Sequence, residues 1–241
     1  MFRGKKVLGI VPARGGSKRI PKKNLRQFGN KPLMTWTIEA ARQSKTIDEV
    51  ILTTDDNEIE KVGVMAGVDR VIVRPQILAA DNSSTLSVIQ HVFENGNYPL
   101  GIFGYFVLLQ PTSPLRTAGH IEEAFALIEK LGGSGGISVC RTEYPLEWMG
   151  KIPPSKSADS FIRQTKLDSP ARSLEAGYQI NGAIYILPID MFLKEKTFFL
   201  TKGMVAFEMS RRESIDIDEP YDLELAEWLL RERNGKEVGG N

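Results

Sequence analysis

A chain of 241 residues, 41% of them hydrophobic, can bury a sizeable core and is of a length usual for one domain. Thirty-one basic residues against thirty acidic leave a formal charge of +1, which excludes a global field suited to nucleic acid or an anionic membrane, so any cationic site must be local. A single cysteine, Cys140, excludes an intrachain disulfide and a CxxC zinc or redox motif, which fits a reducing, cytoplasmic setting, and no run reaches the roughly eighteen apolar residues of a membrane span.

The first predicted element is KVLGIVPA, an apolar run of strand length and too short for the core of a signal peptide. Directly behind it lies ARGGSKRIPKKN. Gly15 and Gly16 allow backbone amides to approach a ligand closely, and Arg14, Lys18, Arg19, Lys22 and Lys23 supply charge, with Ser17 between. Phosphate is the natural guest of such a loop after a first buried strand, although neither GxxxxGK[ST] nor GxGxxG is present. The alternative is a solvated basic turn whose glycines serve geometry alone.

Further along, EVILTTD, RVIVRP, GYFVLLQP, GISVCRT, GAIYILP and MVAFEM read as strands. Helical patterns separate the early ones: residues 32–44, 56–67 ending at Gly67, 84–94, and a clear helix from Thr117 as N-cap to Gly132 as stop, with Ile121, Ala124, Phe125 and Ile128 on one face. The alternation predicts a three-layer α/β/α domain with a mostly parallel sheet and ligands beyond the strands' carboxyl ends. Residues 141–178 break the pattern. They are polar and proline-punctuated, with Trp148, Met149, Phe161 and Ile162 as apolar handles, and read as an inserted lid or oligomer contact within a single domain over 1–241. Near the end, SIDIDEP places Asp216 and Asp218 on one face of an extended segment and Ile215 and Ile217 on the other, a pair suited to magnesium shared with substrate phosphates. The bland alternative has Asp218 merely capping a helix from Pro220. His91 and His120 fall in helix patterns and receive no catalytic part, Cys140 reads as packing, and the tail from Arg231 reads as frayed.

Taken in order, VPARGGSKRIPKKN, TTDD, RPQILAADNSST, LLQPTSPLR, NGAIYI and SIDID closely resemble the acylneuraminate cytidylyltransferases, the CMP-sialic acid synthetases that include CMP-legionaminate-type enzymes. The resemblance runs from about Val7 to Trp228. It implies a Rossmann-like nucleotidyltransferase fold, a homodimer joined through 141–178, and CMP transfer from CTP to a nonulosonic acid with Mg2+ and release of pyrophosphate. It further implies that Arg14 and Lys18, assisted by Lys23 and the backbone of Gly15, Gly16 and Ser17, hold the triphosphate, and that Asn24, Arg74, Ser84 and Thr85 hold cytosine and ribose. Gln110, Thr112, Ser113, Tyr178, Gln179 and Asn181, with Arg172 from the excursion, would face the acceptor, and Asp216 and Asp218 would bind the metal. Gln179 stands where relatives commonly carry an arginine suited to the sugar carboxylate, and Glu147 stands where a basic residue is often found, which leaves N-acetylneuraminate and legionaminate both open. The Kdo cytidylyltransferases, and a nucleotide-binding protein of the same fold without turnover, are the rival readings.

Overall fold

The computed structural model describes residues 1–80, 83–96, 98–99, 101–165 and 177–238. The chain opens with β1 (Lys6–Pro12), a small hairpin of β2 (Gln27–Phe28) and β3 (Lys31–Pro32), and helix α1 (Leu33–Gln43). Then follow β4 (Glu49–Thr54), α2 (Asn57–Met65), β5 (Arg70–Val73), α3 (Thr85–Gly96), β6 (Phe103–Leu108), α4 (Ala118–Leu131) and β7 (Gly135–Arg141). After a short α5 (Asp159–Gln164) come β8 (Tyr178–Pro188), α6 (Ile189–Glu195), β9 (Met204–Glu208) and α7 (Pro220–Val238).

All seven runs read as strands join one sheet, in the order β5-β4-β1-β6-β8-β7-β9. β1 is parallel to β4 and β6, β4 to β5, and β7 to β9, while β8 runs antiparallel to both its neighbours. Both faces of the sheet are covered, so the strands bury side chains alternately. In β1, Val7 and Val11 enter the core with Met34 and Ile38 of α1, Ile59 of α2 and Phe125 of α4, whereas Leu8 and Ile10 enter the opposite core with Ile89 of α3 and Phe192 of α6. That makes three layers. A third cluster packs Leu223, Ala226 and Leu230 of α7 against Ile20, Phe28, Leu33 and Ile217.

Helix α4 matches its sequence signals: the Thr117 hydroxyl accepts from the His120 amide, the His120 ring accepts from the Thr117 amide, and Gly132 ends the helix at φ 66°. The reading of the tail as frayed is corrected. α7 continues over residues 231–238, the last three of the tail lying outside the described residues, and Arg233 Nη1 donates to Leu115 O at 3.3 Å. β8 also begins earlier than GAIYILP, so Asn181 lies inside it and not at its start. Arg141, the last residue of β7, pairs with Tyr178, the first of β8, so the excursion leaves and returns at one register, as an enlarged strand connection.

Candidate active site

The chain runs outward from β1 to β4 and β5, then returns to β6 on the other side of β1, and ligands of open α/β sheets bind at such a reversal. Beyond the carboxyl ends of β1 and β6 opens a cleft of about 610 Å³. Its walls include Arg14, Ser17, Lys18, Arg19, Lys23, Asn24, Arg74, Ser83, Thr85, Gln110, Thr112, Asp216 and Asp218. Residues scattered over some two hundred positions of sequence therefore meet in one cavity.

The basic loop is held at three places. Ile20 is buried in the α7 cluster. The Asn24 side chain, itself buried, donates from Nδ2 to Arg14 O at 2.9 Å, drawing the end of the loop onto its beginning. The Gly15 amide donates to Asp55 Oδ1 at 3.2 Å, and the same oxygen accepts from Arg74 Nη2 at 3.4 Å. Gly15 is required there because a Cβ would stand 2.5 Å from Asp56 Oδ2, and Asp56 caps α2 by accepting from the amides of Glu58 and Ile59. Arg74 is almost wholly buried, which lowers its pKa, with Asp55 opposing that shift and Arg14 adding to it. Arg14 Nη1 reaches Ala79 O at 3.4 Å. Lys22, by contrast, turns outward to Glu58 at 2.7 Å.

The two aspartates of SIDID are in different electrostatic states. Burial pushes the Asp216 carboxyl above the ordinary range; a Thr112 hydrogen bond and Lys23 oppose this, and the like charges of Asp218 and Asp222 add to it. Partial burial acts in the same sense on Asp218, but Lys23 and Arg19 outweigh it and hold that carboxyl low. Lys23 Nζ lies 3.0 Å from Asp218 Oδ1 and 2.6 Å from Ile217 O, and Arg19 Nη2 lies 3.0 Å from Asp218 Oδ2. The capping alternative for Asp218 does not hold, since Asp222 Oδ2 accepts from the backbone amides of Asp218 and Glu219. Ile217 is fully buried and its amide donates to Thr112 O at 2.8 Å, which anchors the segment between its two carboxylates. No group of three or more His, Cys, Asp or Glu suited to a metal occurs among the described residues. Two carboxylates facing a cationic, phosphate-sized loop fit a hard divalent cation that takes its remaining oxygens from a bound ligand.

A second cleft of about 600 Å³ adjoins the first and is lined by Gln110, Gln179, Ile180, Asn181, Gly182, Tyr185, Ser214, Ile215, Asp216 and Asp222. Gln110 and Asp216 belong to both walls. Asn181 is buried by its bonds, accepting from Ser138 Oγ and donating from Nδ2 to Ser214 Oγ at 2.9 Å. Burial, and then the charge of Asp216, raises the pKa of the Tyr185 phenol.

Several expected residues stand elsewhere. Ser84 caps α3, its Oγ accepting from the Ser87 amide at 3.1 Å, and Ser83 faces the cleft in its place. Ser113 is fully buried beneath the loop after β6, and Tyr178 points to Glu208 at 3.1 Å. Gly15 and Gly16 shape the loop without lining the cleft, and Arg172 lies outside the described residues. Sequence reasoning missed Arg19 as a partner of Asp218 and Asp55 as the hub joining Gly15 to Arg74; the TTDD motif was the available signal for the latter.

Residues 8–234 match the family model described as cytidylyltransferase. An N-acylneuraminate cytidylyltransferase of Escherichia coli O18:K1:H7 (strain RS218) is 34% identical over 238 residues, 97% of this chain, and the chain spans about half of that relative, 54% of its length. A CMP-N,N'-diacetyllegionaminic acid synthase of Legionella pneumophila (strain Philadelphia 1) is 35% identical over 93% of this chain and 96% of its own. Among solved structures, a CMP:2-keto-3-deoxy-manno-octonic acid synthetase in complex with CTP superposes with a TM-score of 0.70 at 17% identity, covering 95% of this chain and 100% of that one, a likeness of fold.

Proposed function

This chain belongs to the cytidylyltransferase family, and on that premise we propose that it transfers CMP from CTP to the anomeric hydroxyl of a nonulosonic acid and releases pyrophosphate. The observation that supports this best is the shared wall: Gln110 and Asp216 stand between a cleft rimmed by Arg14, Lys18 and Lys23 and a second cleft without basic side chains, where a donor and an acceptor would meet.

In this reading Arg14, Lys18 and Lys23, with Ser17 of the same loop, neutralise the triphosphate and stabilise the departing pyrophosphate, while Gly15 and Gly16 shape the loop without lining the cleft. Asn24, Arg74, Ser83 and Thr85 hold the nucleoside, and Ser84 caps the helix beside them. Gln179 and Asn181 line the acceptor cleft with Gln110, and Thr112 stands on the nucleotide side of that wall. Asp216 and Asp218 would hold Mg2+, which when bound supplies charge stabilisation at the phosphates and activates an oxygen nucleophile. Asp216, desolvated and close to Gln110, holds its negative charge at the junction, whereas Asp218 must release Arg19 and Lys23, leaving those cations for phosphate. In-line attack at the α-phosphorus depends on positioning and electrostatics, and no histidine is assigned as base.

We infer N-acetylneuraminate or legionaminate as the acceptor, with Gln179 meeting the sugar carboxylate by a neutral contact where an arginine would form a salt bridge. We place the enzyme in the cytoplasm as a homodimer built on 141–178, where Tyr144, Leu146, Met149, Ile152 and Ile162 are exposed. No helix among the described residues is long and apolar enough to cross a membrane. The test is magnesium-dependent pyrophosphate release from CTP with N-acetylneuraminate, legionaminate, pseudaminate and Kdo, and ATP as nucleotide control. Release with a nonulosonate and CTP is expected. Release with Kdo alone, or with none despite CTP binding, contradicts the proposal.

A further inference from the structure

Beneath the loop that leaves β6 lies a side chain that neither cleft accounts for. Arg116 is 2% exposed, and burial, with no acidic group offsetting it, pushes its guanidinium down to about 9. Its Nη1 donates to Gln110 O at 3.3 Å and to Ala183 O at 3.0 Å, while Nε and Nη2 find no partner among the described residues. A buried cation served by two neutral carbonyls costs stability relative to an apolar side chain of similar volume. Packing alone therefore does not explain it.

What Arg116 does is bridge the two chain segments just beyond the last β6–β8 pair, Leu108 with Tyr185, where the ladder has ended. Gln110 O belongs to the loop after β6, and Ala183 O belongs to β8. Immediately before Ala183, Gly182 has φ +76°, and a Cβ there would stand 3.1 Å from Gln110 Oε1. The Gln110 amide thus lies against the bare backbone of Gly182, at the wall common to both clefts. The nucleotide side of the first cleft is held by other means, through Asn24 to Arg14 and through Asp55 to Gly15 and Arg74.

We propose that Arg116 is a positioning residue for the acceptor: by holding Gln110 O and Ala183 O from one nitrogen, it fixes the Gln110 amide over Gly182, where the acceptor's polar groups are oriented for attack. This rests on the function proposed above. Arg116 touches no substrate and acts through Gln110.

The experiment compares the wild type with Arg116→Met, Arg116→Lys and Gly182→Ala, reading CTP affinity by calorimetry and acceptor KM and kcat by pyrophosphate release. CTP affinity should stay within about twofold in each, while acceptor KM rises about 10- to 100-fold in Arg116→Met, the scale of a misplacement of about 1 Å. Lysine should restore part of the loss. Gly182→Ala should reproduce the KM change with Arg116 intact, because its methyl group meets the Gln110 amide in a conformation that L side chains rarely adopt. Where Arg116→Met yields no folded protein, the other two variants decide. An unchanged acceptor KM, or a parallel fall in CTP affinity, overturns the proposal. A wild type that binds CTP but turns over no acceptor overturns the functional reading, and this one with it.

Discussion

Replacing Asp216 with Asn should separate activity from stability, because burial of the carboxyl means that its charge weakens the fold. The folded pKa lies above the ordinary 3.8. Below the ordinary value the group is neutral in both states and costs nothing; as pH rises through the folded pKa the native state must ionise a desolvated group, and the stability present at low pH is lost. Asparagine keeps the shape and can still accept the Thr112 hydrogen bond. At pH 7 the variant should therefore be as stable as the wild type or more so, with the difference shrinking as pH falls through the folded pKa of Asp216. Turnover should move the other way. On the proposed function, loss of the Asp216 charge beside the reacting phosphates costs on the order of 10²–10³ in kcat, about 2.7–4 kcal/mol. Thermal unfolding from pH 4 to 8, paired with pyrophosphate release at saturating magnesium, reads both. Undiminished turnover, or a loss of stability that is the same at every pH, would refute the reasoning.

The other predictions follow from neighbouring contacts. Asp218→Asn should show the opposite linkage sign: the pull of Lys23 and Arg19 stabilises the fold above the ordinary carboxylate value and is lost as pH falls through the lowered one. With Asp218 45% exposed, its loss should cost no more than about 1 kcal/mol in urea unfolding, while turnover falls by roughly 10²–10³. Gly15→Ala should cost about 0.5–2 kcal/mol, since its methyl group displaces the Asp56 cap, and should weaken CTP binding in calorimetry. Gly16→Ala has open space around it and should stay within about 0.5 kcal/mol of the wild type. Light scattering at micromolar concentration should give a dimer mass, and the double variant Leu146→Glu, Ile152→Glu a monomer mass; a monomeric wild type counts against the excursion as an interface.

The strands were legible because the central ones, β1, β4 and β6, are short apolar runs with buried residues in succession, while β9 alternates buried and exposed positions at period two. Helix α4 was legible through Thr117 and Gly132. What escaped was short or non-local. The β2–β3 hairpin offers two residues per strand, and α6 has seven, fewer than a periodic pattern needs. α7 outran its apolar stripe because Arg233, a polar residue, has a carbonyl to bind at Leu115. In the site, Arg14, Lys18, Asn24, Arg74, Asp216 and Asp218 could be named from motifs and do meet in one cleft. Ser83 and Ser84 could not be told apart, since which hydroxyl caps α3 depends on the helix start. Arg116 was visible only as the last letter of LLQPTSPLR, and its burial is a property of the packed fold that no spacing announces.

The most direct test of the central claim follows the α-phosphorus. With CTP labelled at that position, an active nonulosonate and magnesium, the account predicts that the label passes into the CMP–sugar while unlabelled pyrophosphate is released in equal amount. Label recovered as free CMP regardless of acceptor, or retained in CTP that is bound but never consumed, would contradict it.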